Sequence, residues 1–332
     1  MGEVRIGTSG WSYPAGPGTW NGLFYPRRVV PGSRRRVDEL TYYAQFFDTV
    51  EVNSTFYRQP SAPVTRRWVA RTPAGFEFSV KLFQKLTHPM AIGHGVPDPA
   101  RAAGTDETAA PTVPAGAQAD VDEFRAGVDP IEASGKLGAV LAQFPPGFKD
   151  SEQARDYLAW LLRALKGYQV AVELRHRSWS DVSSATAALL EEFGAAWVQI
   201  DEPKFHFSIR QTFRPNIPGF YYMRLHGRNA AKWWQHDTPD ERYNYLYSPG
   251  ELEPIAKVTA AASKGVRKAY LYLNNHFAAK AVVNATILKH QLGEPISGEY
   301  PPELVETYPE LAGIVAVRPP TPPQRLPWDT ER

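Results

Sequence analysis

The sequence predicts an α/β chain folded as a single (β/α)8 TIM-type barrel, with a long loop after strand three and an irregular sixth crossover. Three observations carry that prediction. Strand-like and helix-like patterns alternate along the chain, and eight strand-like runs can be counted. Within most of these runs, residues two apart share a chemistry, so one face reads apolar and the other polar. The first strand ends in Ile6-Gly7-Thr8-Ser9-Gly10-Trp11. That puts a tryptophan where a dinucleotide-binding open sheet needs backbone close to a pyrophosphate, which disfavours a doubly wound sheet.

The elements follow in order. Val4–Gly10 is the first strand, and a helix is expected over Arg35–Phe47. Thr49–Tyr57, helix Ala62–Arg71 and strand Phe76–Leu82 come next. The stretch at about 89–121 is rich in Ala, Gly, Pro and Thr without apolar periodicity, so it reads as a flexible inserted loop on the mouth side. Helix Asp122–Ser134, strand Gly138–Phe144, helix Ser151–Gly167, strand Gln169–His176, helix Val182–Phe193 and strand Ala196–Asp201 restore the alternation. Glu202 to Gly219 carries Pro203, Pro215 and Pro218 and no helical period, hence the irregular crossover. Strand Phe220–Gly227, helix Gly250–Lys264, strand Lys268–His276 and helix Ala278–Leu292 complete the barrel, expected over 1–317. Residues 318–332 form a Pro-rich tail.

Composition narrows the chemistry. The chain has 332 residues, a formal net charge of +2 and no cysteine. A thiol nucleophile, a disulfide, a thiolate zinc site and a cysteine-ligated cluster are therefore excluded. The small net charge gives no global drive toward nucleic acid. No apolar run is long enough to span a membrane, and Met1–Gly10 lacks the basic and apolar regions of a signal peptide. A cytoplasmic location is the resulting expectation. The oligomeric state is not legible.

Strand parity points to a site. The apolar face holds Val50, Val52, Val80, Leu82, Val172, Leu174, Val198, Ile200, Met223, Leu225, Leu271 and Leu273. The other face holds Ser9, Glu51, Asn53, Thr55, Ser79, Lys81, Gln143, Glu173, Arg175, Gln199, Asp201, Arg224, His226, Asn274 and His276. In a barrel this second set points into the lumen and ends at the C-terminal mouth, where barrel active sites lie. Most barrels fill the lumen with aliphatic layers, so polar ends on so many strands fit a polar ligand better than a structural network alone.

Two carboxylates and two imidazoles converging there can supply a general acid and base, with Glu173 and His226 as the expected catalytic pair. Carboxylates alone would serve glycoside hydrolysis at a separation of about 5–10 Å. Arg175, Arg224, Arg228 and Lys81 suit phosphate or carboxylate, and Asn229 can donate from its amide. Asn53, Asp201, Asn274 and His276 would orient the ligand, and Trp11 and Trp179, nearest the strand ends, would stack on its ring. Tyr13, Trp20, Phe24, Tyr25, Tyr57, Trp233, Trp234, Tyr243, Tyr245 and Tyr247 fill the same loops, where packing is the default reading.

No cofactor is predicted. Glu173, Asp201 and His226 form an alternative divalent-metal set, for a hydrolase or isomerase, which Arg175 and Arg224 would oppose. Arg27-Arg28 and Arg34-Arg35-Arg36, with the aromatics, leave a nucleic-acid or regulatory binding module as a further alternative.

Specific strings then resemble a known family. Gly7-Thr8-Ser9-Gly10-Trp11-Ser12-Tyr13, Phe24-Tyr25-Pro26 and Val50-Glu51-Val52-Asn53-Ser54-Thr55-Phe56-Tyr57 open the pattern. Lys81 with Thr87-His88, then Gln143-Phe144-Pro145-Pro146 and Val172-Glu173-Leu174-Arg175-His176-Arg177-Ser178-Trp179, continue it. Arg224-Leu225-His226-Gly227-Arg228-Asn229, Arg242-Tyr243, Asn274-Asn275-His276 and Asn284-Ala285 complete it. In this order they resemble the YecE-like proteins, also called domain of unknown function 72. The resemblance implies a TIM-type barrel and brings no reaction with it. The stretch after Pro89 is longer than the family pattern implies. The expectation is an enzyme acting by acid–base chemistry on a small anionic, ring-bearing metabolite, such as a phosphorylated sugar or nucleotide-like compound.

Overall fold

The structure is a computed structural model that describes residues 2–26, 37–88, 113–233 and 239–319. Most of the expected inserted loop, both basic runs, Trp234 and most of the Pro-rich tail lie outside the described residues.

Parallel strands close a barrel. β1 (Glu3–Ser9), β2 (Thr49–Val52), β3 (Glu77–Lys81), β4 (Leu137–Gln143) and β5 (Val170–Glu173) follow one another around the sheet. β6 (Ala196–Trp197) pairs with β5, and β7 (Gln199–Asp201) pairs with β8 (Phe220–Leu225). β8 in turn pairs with β9 (Lys268–Leu273), which pairs with β1. β6 and β7 are two pieces of one strand broken at Val198, whose N–H donates to the Val172 carbonyl at 2.9 Å. The sheet therefore closes on itself as eight staves, the sixth interrupted.

Helices cover the outside. They are α1 (Glu39–Tyr43), α2 (Ala62–Ala70), α3 (Gln118–Ala133), α4 (Glu152–Ala164), α5 (Ser178–Asp181), α6 (Ser183–Glu192), α7 (Pro249–Ser263) and α8 (Lys280–Leu292). α3 begins inside the expected loop. Asp120 accepts from the Ala117 N–H at 2.9 Å and pairs with Lys85 at 2.9 Å, which satisfies an orphan donor of the first turn. Ser248 and Glu251 form a reciprocal capping box on α7. After α8, a short parallel pair, β10 (Glu299–Tyr300) and β11 (Ala316–Val317), flanks α9 (Pro302–Thr307); no sequence period announced it.

The sixth crossover holds no helix, as its prolines predict. Its side chains instead patch the broken strand. Asn216 Oδ1 accepts from the Trp197 N–H at 2.7 Å, and Gln211 Oε1 from the Ile200 N–H at 3.3 Å. Buried backbone donors need partners, and here loop amides supply them.

Register decides which residues enter the lumen. Glu51 lies beside Ser9 and Ser79, Gln143 beside Glu173, and Arg224 beside Tyr272. These share the inner face, as parity predicts. The sixth stave is the exception. Ile200 is the partner of Arg224, so Ile200 and Val198 face inward and Gln199 and Asp201 face outward, the reverse of the expectation. The sequence Ala-Trp-Val-Gln-Ile-Asp allows either face, and only pairing with β8 selects one.

The lumen is thus polar on one side and apolar on the other. Ala139, Leu141, Ala171, Val198 and Ile200 fill the side of staves four to six. Opposite them, the Tyr272 hydroxyl lies 2.6 Å from Thr49 Oγ1 and 2.9 Å from Ser79 Oγ. Gly7 makes room in this layer. A Cβ there would stand 2.2 Å from the Thr49 carbonyl oxygen, a backbone atom that cannot retreat without breaking the sheet. Gly7→Ala is expected to destabilise the fold by about 1–3 kcal/mol, the usual range for overpacking. A urea midpoint equal to that of the parent would refute this account of Gly7.

Candidate functional site

Alternating charges cross the barrel. Arg224, on β8, is fully buried and reaches two other staves. It donates from Nε and Nη2 to the two oxygens of Glu51 on β2, at 2.9 and 2.7 Å. It donates from Nη1 to Glu173 Oε2 on β5 at 2.6 Å. Glu173 Oε1 accepts from Arg175 Nε at 2.7 Å. Ser9 and the Tyr222 hydroxyl supply Glu51 with one further donor each, both at 2.8 Å. Burial raises the cost of every one of these charges, and each is offset by an opposite charge in contact. Burial penalises ionised Glu173, yet Arg224 and Arg175 overcome that and hold its carboxyl well below the usual range.

His226 continues the chain upward. Burial, reinforced by Arg224, pushes its pKa down to about 3, so the ring is neutral. Arg175 Nη2 lies 3.2 Å from Nε2 and the Asn274 side-chain amide 2.9 Å from Nδ1. A guanidinium has no acceptor, so Nε2 accepts from Arg175. The Asn274 amide presents its nitrogen to Nδ1, so a proton on Nδ1 requires that amide to turn its oxygen toward the ring.

Above this floor opens a cavity of about 620 Å³ at the C-terminal mouth. Of the expected residues, Asn53, Lys81, Arg175, Arg224, Asn274 and His276 line it. Lys81 ends β3. Its Nζ donates to Gln143 Oε1 at 2.7 Å and sits 4.1 Å from the centre of the Phe56 ring. Burial, with Arg224 adding to it, lowers the Lys81 pKa to about 7. The Asn53 Oδ1 is buried without a hydrogen-bond partner. His276 stacks on Tyr13 with ring centres 4.3 Å apart, and its carbonyl accepts from the Trp20 indole at 2.6 Å. Its Nε2 lies 3.4 Å from Asp240 Oδ1. Ala278 and Ala279 follow at φ 50° and 62°, left-handed backbone that alanine rarely adopts, where the chain turns from β9 into α8.

Other expected residues stand elsewhere. Glu173 and His226 lie beneath the cavity floor and do not line it. Asp201, turned outward, accepts from Arg228 Nε and Nη2, both at 2.9 Å, and from the Tyr247 hydroxyl at 2.7 Å. Neither residue of this pair lines the cavity. Asn229 donates to the Glu241 carbonyl at 3.0 Å and so braces the rim segment instead of facing the cavity. Trp179 is fully buried. Its indole donates to the Phe148 carbonyl at 2.8 Å and its ring stacks on Phe148, so it is core and not a ligand wall. Trp11 packs edge-on against Trp68 at 5.6 Å, outside the cavity lining.

The cavity walls are Tyr13, Tyr57 and Tyr243, with Asp240 and Arg242 on a short 3-10 turn over Pro239–Tyr243. The tyrosines stood among the loop aromatics in the sequence; Asp240 and Arg242 carry no periodic signal. The alternative metal set does not assemble. Glu173 and His226 are 3.7 Å apart, but Asp201 is committed to Arg228. Among the described residues, no three His, Asp or Glu side chains are grouped to hold a metal ion. Among them, too, no helix is long and apolar enough to cross a membrane.

The neutral His226 makes a pH prediction. Its pKa in the fold, about 3, lies below the 6.5 of a free imidazole, so the unfolded chain binds the proton first. Its contribution to stability is complete above pH 6.5 and is lost as pH falls toward 3. His88, pushed down to about 3 by burial and then by Lys81, acts in the same direction. Urea unfolding across this window is expected to show a steep loss that His226→Gln makes shallower. An unchanged slope in that variant would count against a buried neutral ring.

Comparison with known proteins agrees with this architecture. UPF0759 protein YunF of Bacillus subtilis (strain 168) is 26% identical over 309 residues, covering 91% of this chain and 99% of that protein. The crystal structure of a DUF72 family protein from Thermotoga maritima MSB8 is 31% identical, with a TM-score of 0.69, over 88% of this chain and 100% of that one. A DUF72 family protein from Enterococcus faecalis V583 superposes with a TM-score of 0.70 at 22% identity, over 89% of this chain and 97% of that one. A family model described as protein of unknown function DUF72 matches residues 5–306, from β1 almost to the end of α9. That span includes every stave of the barrel and the whole charged floor, and the chain belongs to the DUF72 family.

Proposed function

We propose that the protein is an enzyme acting on a small anionic, ring-bearing metabolite bound at the barrel mouth. The observation that carries this reading is a cavity in which Lys81, Arg175, Arg224 and Arg242 converge beside an unpartnered Asn53 Oδ1 and a wall of tyrosines. Its volume is in the range of small-molecule sites. Arg175 and Arg242 hold the anion, a phosphate or carboxylate, and Asn53 and Asn274 orient the rest. Tyr57 and Tyr243 offer faces to a sugar or base ring.

In this reading Glu173 and His226 act at one remove. Glu173 fixes Arg224 and Arg175, and His226 fixes Arg175 and Asn274. The groups that exchange protons with a bound molecule are Lys81 and His276, which line the cavity. A hydrolase, lyase or isomerase reaction fits such a pair. The small-molecule reading is favoured over a nucleic-acid track because the site is a concave pocket fed by strand ends.

Titration calorimetry with inorganic phosphate, ribose 5-phosphate and adenosine monophosphate tests this. A ring-bearing phosphate is expected to bind more tightly than phosphate alone. Arg242→Ala, at the half-buried rim, is expected to weaken it about tenfold or more, the weight of roughly 1.5–3 kcal/mol for a charged hydrogen bond. If none of the three binds at millimolar concentration, the anion reading is wrong.

A further inference from the structure

We infer that the substrate is an anionic aldehyde or ketone and that the Lys81 side chain forms an imine with its carbonyl carbon. The inference rests on the anion-binding reading of the mouth and names the substrate class within it.

The surroundings of Lys81 set it apart from a structural lysine. A buried ammonium normally faces a carboxylate, and Lys81, 9% exposed, forms no ion pair among the described residues. Its hydrogen-bond partner is the neutral amide of Gln143, and a neutral ring, Phe56, lies against it. Glu51 and Glu173 are the nearest source of negative charge, but their four oxygens already accept from Ser9, Tyr222, Arg224 and Arg175. Arg224 and Arg175 lie close enough to repel an added positive charge, and neutral His88 supplies none in return. Burial and these two guanidiniums outweigh Glu51 and Glu173, leaving a large share of the amine unprotonated near pH 7. The amine also faces the cavity, beside the arginines that would anchor an anion. A lysine held free of carboxylates in a desolvated pocket is the condition for nucleophilic amine chemistry.

The step balances without a co-reactant. The ammonium releases one proton. The nitrogen lone pair forms the C–N bond while the carbonyl π pair moves to oxygen. The oxygen takes one proton from nitrogen and the proton released first, and leaves as water. The product is a protonated imine carrying the same single positive charge, which draws electrons from the adjacent carbon. His276, lining the same cavity, is placed to exchange a proton with the bound intermediate.

Pyridoxal 5′-phosphate, an aldehyde bearing a ring and a phosphate, is the probe. The full chain is mixed with an equimolar amount, reduced with borohydride and mapped by mass spectrometry. Lys81 is expected to carry at least tenfold more label than any other lysine. Inorganic phosphate should compete, and pyridoxal without its phosphate should label at least tenfold less. Initial labelling should rise as pH increases through about 7 and then level off, whereas surface lysines keep rising to much higher pH. Lys81→Arg and Lys81→Gln, each checked for folding by circular dichroism, should both lose the localised label. Label spread evenly over the lysines, or an unlabelled Lys81 with phosphate binding intact, overturns the imine and leaves the anion site standing. An unlabelled Lys81 together with no phosphate binding overturns both.

Discussion

One guanidinium organises this barrel. Arg224 spans from the seventh stave to the second and the fifth, and its three donating nitrogens are each taken by a carboxylate. Two charged carboxylates so close in a lumen would otherwise repel each other and lose their hydration. Each alone would leave an unneutralised buried charge, a defect of roughly 3–5 kcal/mol when one partner is removed. The arrangement is stable as a set, and the set dictates the rest. Ser9 and Tyr222 complete Glu51, Arg175 completes Glu173, and Arg175 in turn fixes His226. The mouth is built on a floor whose charges cannot move independently.

Arg175 and Arg224 belong to that committed floor, while other groups facing the cavity have fewer partners. Lys81 has a neutral amide and Asn53 an idle oxygen, while the His276 ring lies 3.1 Å from the Asn274 carbonyl and 3.4 Å from Asp240. Rigid support beneath uncommitted groups is the division expected of a site that binds and transforms a ligand, since supporting residues must keep their geometry while contacting ones change partners. Trp20 and Tyr13 extend the support upward. They tie the loop after β1 to the loop after β9 through the backbone and ring of His276.

The barrel and its floor were legible because both follow from a period of two. Alternation placed Glu51, Glu173 and Arg224 on one face, and closure brought them together. Tyr222 and Tyr272 sit on that same face, but tyrosine fits either side of a sheet, so alternation did not mark them. Parity failed at Val198–Asp201 for a related reason. A two-residue piece and a three-residue piece have no period of their own, and the inward set there is aliphatic because the apolar side of the lumen requires it. Trp179 sits just past a strand end, where ligand contacts often lie, yet its indole had a carbonyl partner in Phe148 and the larger apolar surface to bury. Asp240 and Arg242 come from a loop, where side-chain direction depends on contacts no local pattern encodes.

The closed set of charges around Arg224 also bears on how such a chain can change over generations. A substitution at Glu51, Glu173 or Arg224 alone passes through a state with an orphaned charge in the lumen. Viable routes therefore exchange two or three positions together, or none. Of the contacting groups above, Lys81 and Asn53 make no ion pair with that set, whereas Arg175 belongs to it. Lineages descending from this barrel are free to redraw what the mouth recognises while inheriting the floor unaltered. Divergence in specificity would then accumulate in loops and strand tips, with the lumen as the invariant record of common descent.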